Sequence, residues 1–221
     1  MRSAACSRAE RGTLDAMEQI VPGIWHWTAV HPNIKISVHS YYLEEEGVLI
    51  DPITPDDGID WFAEHGPPSD VLLTNRHHYR STGTFVERFG VAVHCVRSGL
   101  HEFANGEPVE PFDFGDVLPG GIVAHEVGAI CPDETALFVA GHDALALADG
   151  AVRWEPTGPL KFVPDGFMNE PEATKDGLRT AYRGLVDLEF RHLLLAHGEP
   201  FVDTGREALA AFAGAGEGRE D

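Results

Sequence analysis

From Ile20 onward, short apolar segments alternate with turn residues, and twice along the chain such a run gives way to stretches with helical spacing. Residues 20–30, bent around Pro22-Gly23, residues 34–43 and residues 47–50, which close on Asp51-Pro52, read as three strands of one meander. Residues 56–64 carry Ile59, Trp61 and Phe62 at helical spacing, and the breaker Gly66-Pro67-Pro68 separates them from a strand at 70–74. A second such unit has a helix at 81–89 closed by Gly90, a strand at 91–95 and a short helical segment at 98–104. The second half repeats the order. Strands are expected near 112–114 and 122–127, then a hairpin of 134–139 and 144–149 turning at Gly141, a helix at 171–188, a strand at 191–196 and a helix at 204–212 capped by Thr204. Two halves that each run strands and then helices predict an α/β chain of two mixed sheets face to face, with helices on the outer faces.

A chain of 221 residues with 43% hydrophobic content can bury one substantial core. The reading is a single domain over 17–213, preceded by a disordered extension at 1–16 and followed by a frayed tail at 214–221. The first sixteen residues are Arg-rich and lack the apolar run of a signal peptide, and Met17 is an alternative natural start. No stretch approaches the roughly 18 apolar residues of a membrane span. A net charge of −20 without a basic patch excludes nucleic acid and anionic membrane as expected partners and leaves a small molecule. Cys6, Cys95 and Cys131 are odd in number and far apart, which argues against disulfides and for a reducing, cytoplasmic setting. Nothing in the sequence specifies an oligomeric state.

Polar residues concentrate at the ends of three apolar strands. The first cluster is Asn75, Arg76, His77, His78, Tyr79 and Arg80, the second is Asp149 after Leu145-Ala146-Leu147-Ala148, and the third is His197 after Leu193-Leu194-Leu195-Ala196. Each has an ordinary structural reading: a hydrogen-bonded histidine pair, a turn carboxylate, a histidine in a glycine turn. Together they offer imidazole and carboxylate, which are ligands for zinc or iron. Adjacent histidines at a strand-to-helix turn point in different directions, so at most one of His77 and His78 is expected to face a given site.

The order of elements from Val21 to Phe212 resembles the metallo-β-lactamase superfamily, in particular its small glyoxalase-II-like members. The resemblance rests on the Tyr42-to-Pro52 segment ending in Asp51, the 74–83 block, the hairpin ending at Asp149, and His197-Gly198. It implies an αββα sandwich and a hydrolase-like metal site. The family's cluster of His, any residue, His, any residue, Asp, His falls on Asn75, Arg76, His77, His78, Tyr79 and Arg80, so only His77 matches there. The family's Pro-Gly-His ligand falls on Ala129, with His125 nearby, and its bridging carboxylate falls on Asp149, with Asp143 in a competing register. The last histidine falls on His197. Asn75, Tyr79, Arg80 and Ala129 therefore replace ligands, and the resemblance implies a degenerate site.

Two uses of that site follow. In the first, the chain is metal-free and without cofactor: Arg80 pairs with Asp149 through a bidentate contact, Tyr79 and Asn75 complete the hydrogen bonding, and Arg76 receives a small anionic or acidic metabolite. In the second, His77, Asp149 and His197 hold at most one divalent metal, zinc or iron, with water in the open position for ester or thioester hydrolysis, and Arg80 opposes it. A third, non-catalytic interaction role has no positive feature in its favour. Whether the chain is an enzyme stays open between these. His26, His31, His39, His125, His142 and His192 are assigned to surface or satisfied core positions. His101 and Glu102 are assigned to the pocket mouth, and the 162–165 loop to a substrate-facing wall.

Overall fold

The computed structural model describes residues 17–214; the expected extension at 1–16 and all but the first residue of the tail lie outside them. The first sheet has seven strands in sequence order: β1 (Glu18–Val21), β2 (Ile24–Val30), β3 (Ser37–Leu43), β4 (Val48–Ile50), β5 (Asp70–Leu72), β6 (Ala92–Val96) and β7 (Val109–Phe112). β1 to β4 form an antiparallel meander, and β4 to β7 pair in parallel. Parallel neighbours need crossovers, supplied by α1 (Asp60–His65) and α2 (Thr82–Phe89). The second sheet is ordered β13-β10-β9-β8, from β8 (Val123–Glu126), β9 (Thr135–Val139), β10 (Ala144–Leu147) and β13 (His192–Leu195). Its β13 joins β10 in parallel after the crossover helix α3 (Pro171–Val186), and α4 (Gly205–Gly214) follows. A two-stranded ribbon, β11 (Ala151–Val152) with β12 (Lys161–Phe162), follows β10, where the sequence reading places no strand.

Side-chain alternation builds the layers. Ile24, Tyr41, Leu43 and Ile50 of the first sheet meet Leu137, Ala146 and Leu194 of the second in the central core. The opposite faces carry Trp27, Tyr42 and Leu49 against Phe62 of α1 and Phe85 of α2, and Leu145, Leu193 and Leu195 against Leu178 and Tyr182 of α3 and Leu209 of α4. Burying both faces of each sheet explains why the strands read as near-continuous apolar runs. Three elements differ from expectation. α1 begins at Asp60 because Gly58 takes a left-handed turn (φ 86°) after Pro55. β3 begins at Ser37 because Lys35 also has positive φ (59°), leaving residues 34–36 as loop. β7 runs Val109–Phe112 where the sequence places its strand at 112–114. Among the described residues no helix is long and apolar enough to cross a membrane.

Candidate functional site

Parallel strands end together. Asp51 follows β4, the Asn75–Arg80 segment follows β5, and Asp149 and His197 each lie two residues beyond the paired ends Leu147 and Leu195 of β10 and β13. The carboxyl ends of parallel strands are where α/β sheets present ligand-binding groups. At this edge the sheets enclose a cleft of about 510 Å³.

The histidine that reaches Asp149 and His197 is His78, one residue on from the His77 expected by motif alignment. The segment Arg76–Tyr79 is 3-10 helical with a kink at His78 (φ −91°, ψ 17°), which is turned inward while His77 is left exposed on the cleft wall. The His78 Nδ1 atom is 2.7 Å from Asp51 Oδ2 and 2.9 Å from Thr74 Oγ1, and its Nε2 is 3.1 Å from Asp149 Oδ1. His197 Nε2 lies 3.0 Å from the same oxygen. Asn75 donates from Nδ2 to Asp149 Oδ2 at 2.9 Å, and its own Oδ1 accepts from the His77 N–H at 2.9 Å. Asp143, the competing register, sits in the β9–β10 turn at φ 47°, where its carbonyl accepts from Arg191 and His192.

Arg80 does not form the expected pair with Asp149. With its backbone in the left-handed region (φ 42°), it reaches beneath the strand ends. Its Nη1 donates to the carbonyls of His39 and Asp51, each at 2.7 Å, and its Nη2 donates to that of Ala196 at 3.4 Å. Asp149 is served instead by two imidazoles and an amide. Arg76 also has a prior engagement: its guanidinium and its backbone N–H both contact the buried Asp133. Tyr79 packs against Phe103 and lies outside the cleft lining. His101 is exposed and bonded to Ser98, and neither it nor Glu102 lines the cleft. Of the expected 162–165 wall, Val163 lines the cleft, joined by Phe167.

The charges are interlocked. Burial alone would lower the pKa of His78, but the Asp51 and Asp149 carboxylates raise it to about 9, so it is an imidazolium at neutral pH. Burial alone would raise Asp149; His78 and His197 hold it well below the usual carboxylate range. Burial lowers His197, whose Nδ1 is buried without a hydrogen-bond partner. Next to the cleft, burial and the Asp149 charge push Glu134 up to about 7.

Neither a protein-family model nor a curated protein sequence matches this chain. Solved structures do. The DIM-1 metallo-β-lactamase, described as exposed to ceftazidime, aligns over 91% of this chain and 97% of its own with a TM-score of 0.69 at 14% identity. A metallo-β-lactamase family protein from Thermus thermophilus aligns over 91% and 81% with a TM-score of 0.61 at 16% identity. This chain has the metallo-β-lactamase fold. Rubredoxin oxygen:oxidoreductase from Desulfovibrio gigas shares the fold over 93% of this chain with a TM-score of 0.66 at 14% identity. This chain spans 63% of that protein's length.

A metallo-β-lactamase fold raises the question of a metal. At two positions where the resemblance places ligands, Arg80 offers no lone pair and donates to carbonyls, and Tyr79 packs against Phe103. A single cation does find donors. His78, Asp149 and His197 each present one ligand atom, all within 4.8 Å of one another. Sequence reasoning missed Asp51 and Thr74 as the supports of His78, and His31, Trp154 and Asn169 as cleft lining. Asp51-Pro52 closing an apolar strand was the available signal for the first.

Proposed function

We propose that this chain binds a small organic acid in the cleft, without a metal. The carrying observation is charge balance: Asp149 is met by the His78 imidazolium, His197 and Asn75, so the site needs no further cation. A buried carboxylate must be paired or metal-bound, and here it is paired. The cleft lining holds Arg76, Arg80 and His78 with Asp149 as its one carboxylate, on a chain of net charge −20, while Asp133 and Asp51 contact Arg76 and His78 from behind the lining. That contrast favours an anionic head group, with the exposed His77 and the outer face of Arg76 as its contacts. The rim is apolar. Ile34, Ile36, Trp154 and Phe167 line the cleft and are among the exposed large hydrophobic residues, which suits a ligand with an apolar body.

A second reading has its own observation. Both imidazole Nε2 atoms converge on one Asp149 oxygen while Asp51 holds the opposite nitrogen of His78, the arrangement in which carboxylates orient metal-binding histidines. One divalent zinc or iron there would be held by His78, Asp149 and His197. Such a cation supplies an activated water and a polarised ester or thioester carbonyl. Arg80 adds positive charge beside that position.

One experiment separates them. Protein purified without chelator is analysed for zinc, iron and manganese, then heated with saturating phenylacetate or with uncharged phenylacetamide. At about 100-fold over Kd the acid contributes about 2.7 kcal/mol, or roughly 5–10 °C in Tm for a domain of this size, and the amide does not. Near-stoichiometric metal, or equal shifts from acid and amide, overturns the metal-free reading.

A further inference from the structure

A second polar cluster lies on the inner face of the first sheet. β2 and β3 pair so that His26 faces Tyr41 and Thr28 faces His39, which sets the two histidines diagonally on the same face. That face is the sandwich interior, shared with Ile24, Tyr41 and Leu43. The rings stack with centroids 5.0 Å apart, and His26 Nε2 is 2.8 Å from His39 Nδ1. Both residues are buried, at 6% and 5% exposure. Glu199 arrives from the turn after β13, in the other sheet, and the three side chains present ligand atoms within 4.8 Å of one another.

The cluster is incompletely satisfied. Among the described residues the Glu199 carboxylate makes no hydrogen bond and no ion pair, and the histidine rings bond only to each other. Arg153, the cation that faces Glu199, donates to the carbonyls of Gly158, Glu199 and Pro200 and stacks on Phe201. A partly buried carboxylate beside two buried imidazoles is a donor set awaiting a positive charge.

We infer that His26, His39 and Glu199 form a binding site for one first-row transition-metal ion of the zinc class, separate from the cleft. Two imidazole nitrogens and a carboxylate oxygen select such an ion over calcium or magnesium, with water completing four-coordination. Tetrahedral ligands at about 2.0–2.1 Å stand roughly 3.3 Å apart, and the ligand atoms of the group already lie within 4.8 Å of one another. Arg80 bonds to the His39 carbonyl and opposes the ion; Glu199, with Glu18 nearby, favours it. The bound ion ties β2 and β3 of one sheet to the turn after β13 of the other, two residues from His197.

The test is Co2+ titration of the full chain after chelator treatment, read by visible d–d absorption and by bound stoichiometry. Glu199→Gln, at a partly exposed turn, is the principal variant, His39→Gln the second, and Asp149→Asn removes a donor of the cleft. Wild type is expected to bind one equivalent that persists in Asp149→Asn and weakens by at least about tenfold in Glu199→Gln, as losses of metal-supporting residues do. Wild type that binds no Co2+, a single equivalent lost in Asp149→Asn, or Glu199→Gln with unchanged affinity and stoichiometry each overturns the inference. Because the cleft donor is varied separately, a metal-free cleft does not decide the result.

Discussion

Replacing Asp51 by Asn keeps the shape of a buried side chain and removes its charge. The carboxylate accepts from the Thr74 backbone N–H at 2.8 Å, from Thr74 Oγ1 at 2.5 Å, and from His78 Nδ1 at 2.7 Å. An amide NH2 in place of Oδ2 sets a donor against these donors, and His78 loses the larger of the two attractions that raise its pKa. In the wild type that pKa is about 9 when folded, against the ordinary histidine value of 6.5 when unfolded. The folded chain holds the proton through that interval while the unfolded chain releases it, so stability is full below 6.5 and is lost as pH rises through 9. The interval corresponds to about 3 kcal/mol, shared between Asp51 and Asp149. Asp51→Asn is therefore expected to cost about 2–3 kcal/mol at neutral pH, in line with the lower end for breaking a buried pair. That is roughly 4–12 °C in Tm. It should also flatten the fall in stability between neutral pH and about pH 9. Urea unfolding across that range, with NMR titration of the His78 ring, measures both. A variant within about 0.5 kcal/mol of wild type, or one with an unchanged pH slope, refutes the coupling.

Two further outcomes follow from the neighbours of the site. Burial and Asp149 raise Glu134 from 4.5 to about 7, so its contribution to stability falls as pH rises through that window. Glu134→Gln should remove this slope, seen by urea unfolding at about pH 5 and about pH 8. Gly198 holds φ 111°, and a Cβ added there would collide with the Arg153 carbonyl, so Gly198→Ala should cost roughly 2–5 kcal/mol and displace His197, read by unfolding and by the His197 ring resonances.

The order of elements was legible because β10 and the Leu193–Leu195 run of β13 are apolar and α3 has helical spacing, patterns that local sequence carries directly. The convergence of Asp149 and His197 was partly legible because each ends an apolar strand. The choice between His77 and His78 was not. Motif spacing aligns positions, whereas the direction of a side chain in a 3-10 turn depends on the backbone at His78 itself. The partners of Arg80 were hidden for another reason: its acceptors are backbone carbonyls 29 to 116 residues away, and a carbonyl leaves no mark on sequence. His26 and His39 are thirteen residues apart and meet only through strand register, so neither the period nor the spacing reveals them.

Arg80 stands where the family resemblance places a histidine, and its contacts explain why restoring that histidine would not restore a two-metal site. The guanidinium gathers the carbonyls of His39, Asp51 and Ala196, which belong to β3 and to the residues just past β4 and β13. Those acceptors come from both sheets, so one side chain closes the floor of the cleft. An imidazole has at most two N–H donors and a shorter reach, so at least one charged hydrogen bond of about 1.5–3 kcal/mol is lost, even though Ser40 Oγ still donates to the Asp51 carbonyl and the His39 N–H to that of Ala196. The left-handed backbone of residue 80 adds strain for either residue. Arg80→His is therefore expected to lose about 2–4 kcal/mol in urea unfolding and to bind no additional Zn2+ by calorimetry. A variant as stable as wild type that gains an equivalent of Zn2+ would show that residue 80 is still oriented as a ligand, and that the arginine is a replaceable occupant of a metal site instead of the clamp on which the cleft is built.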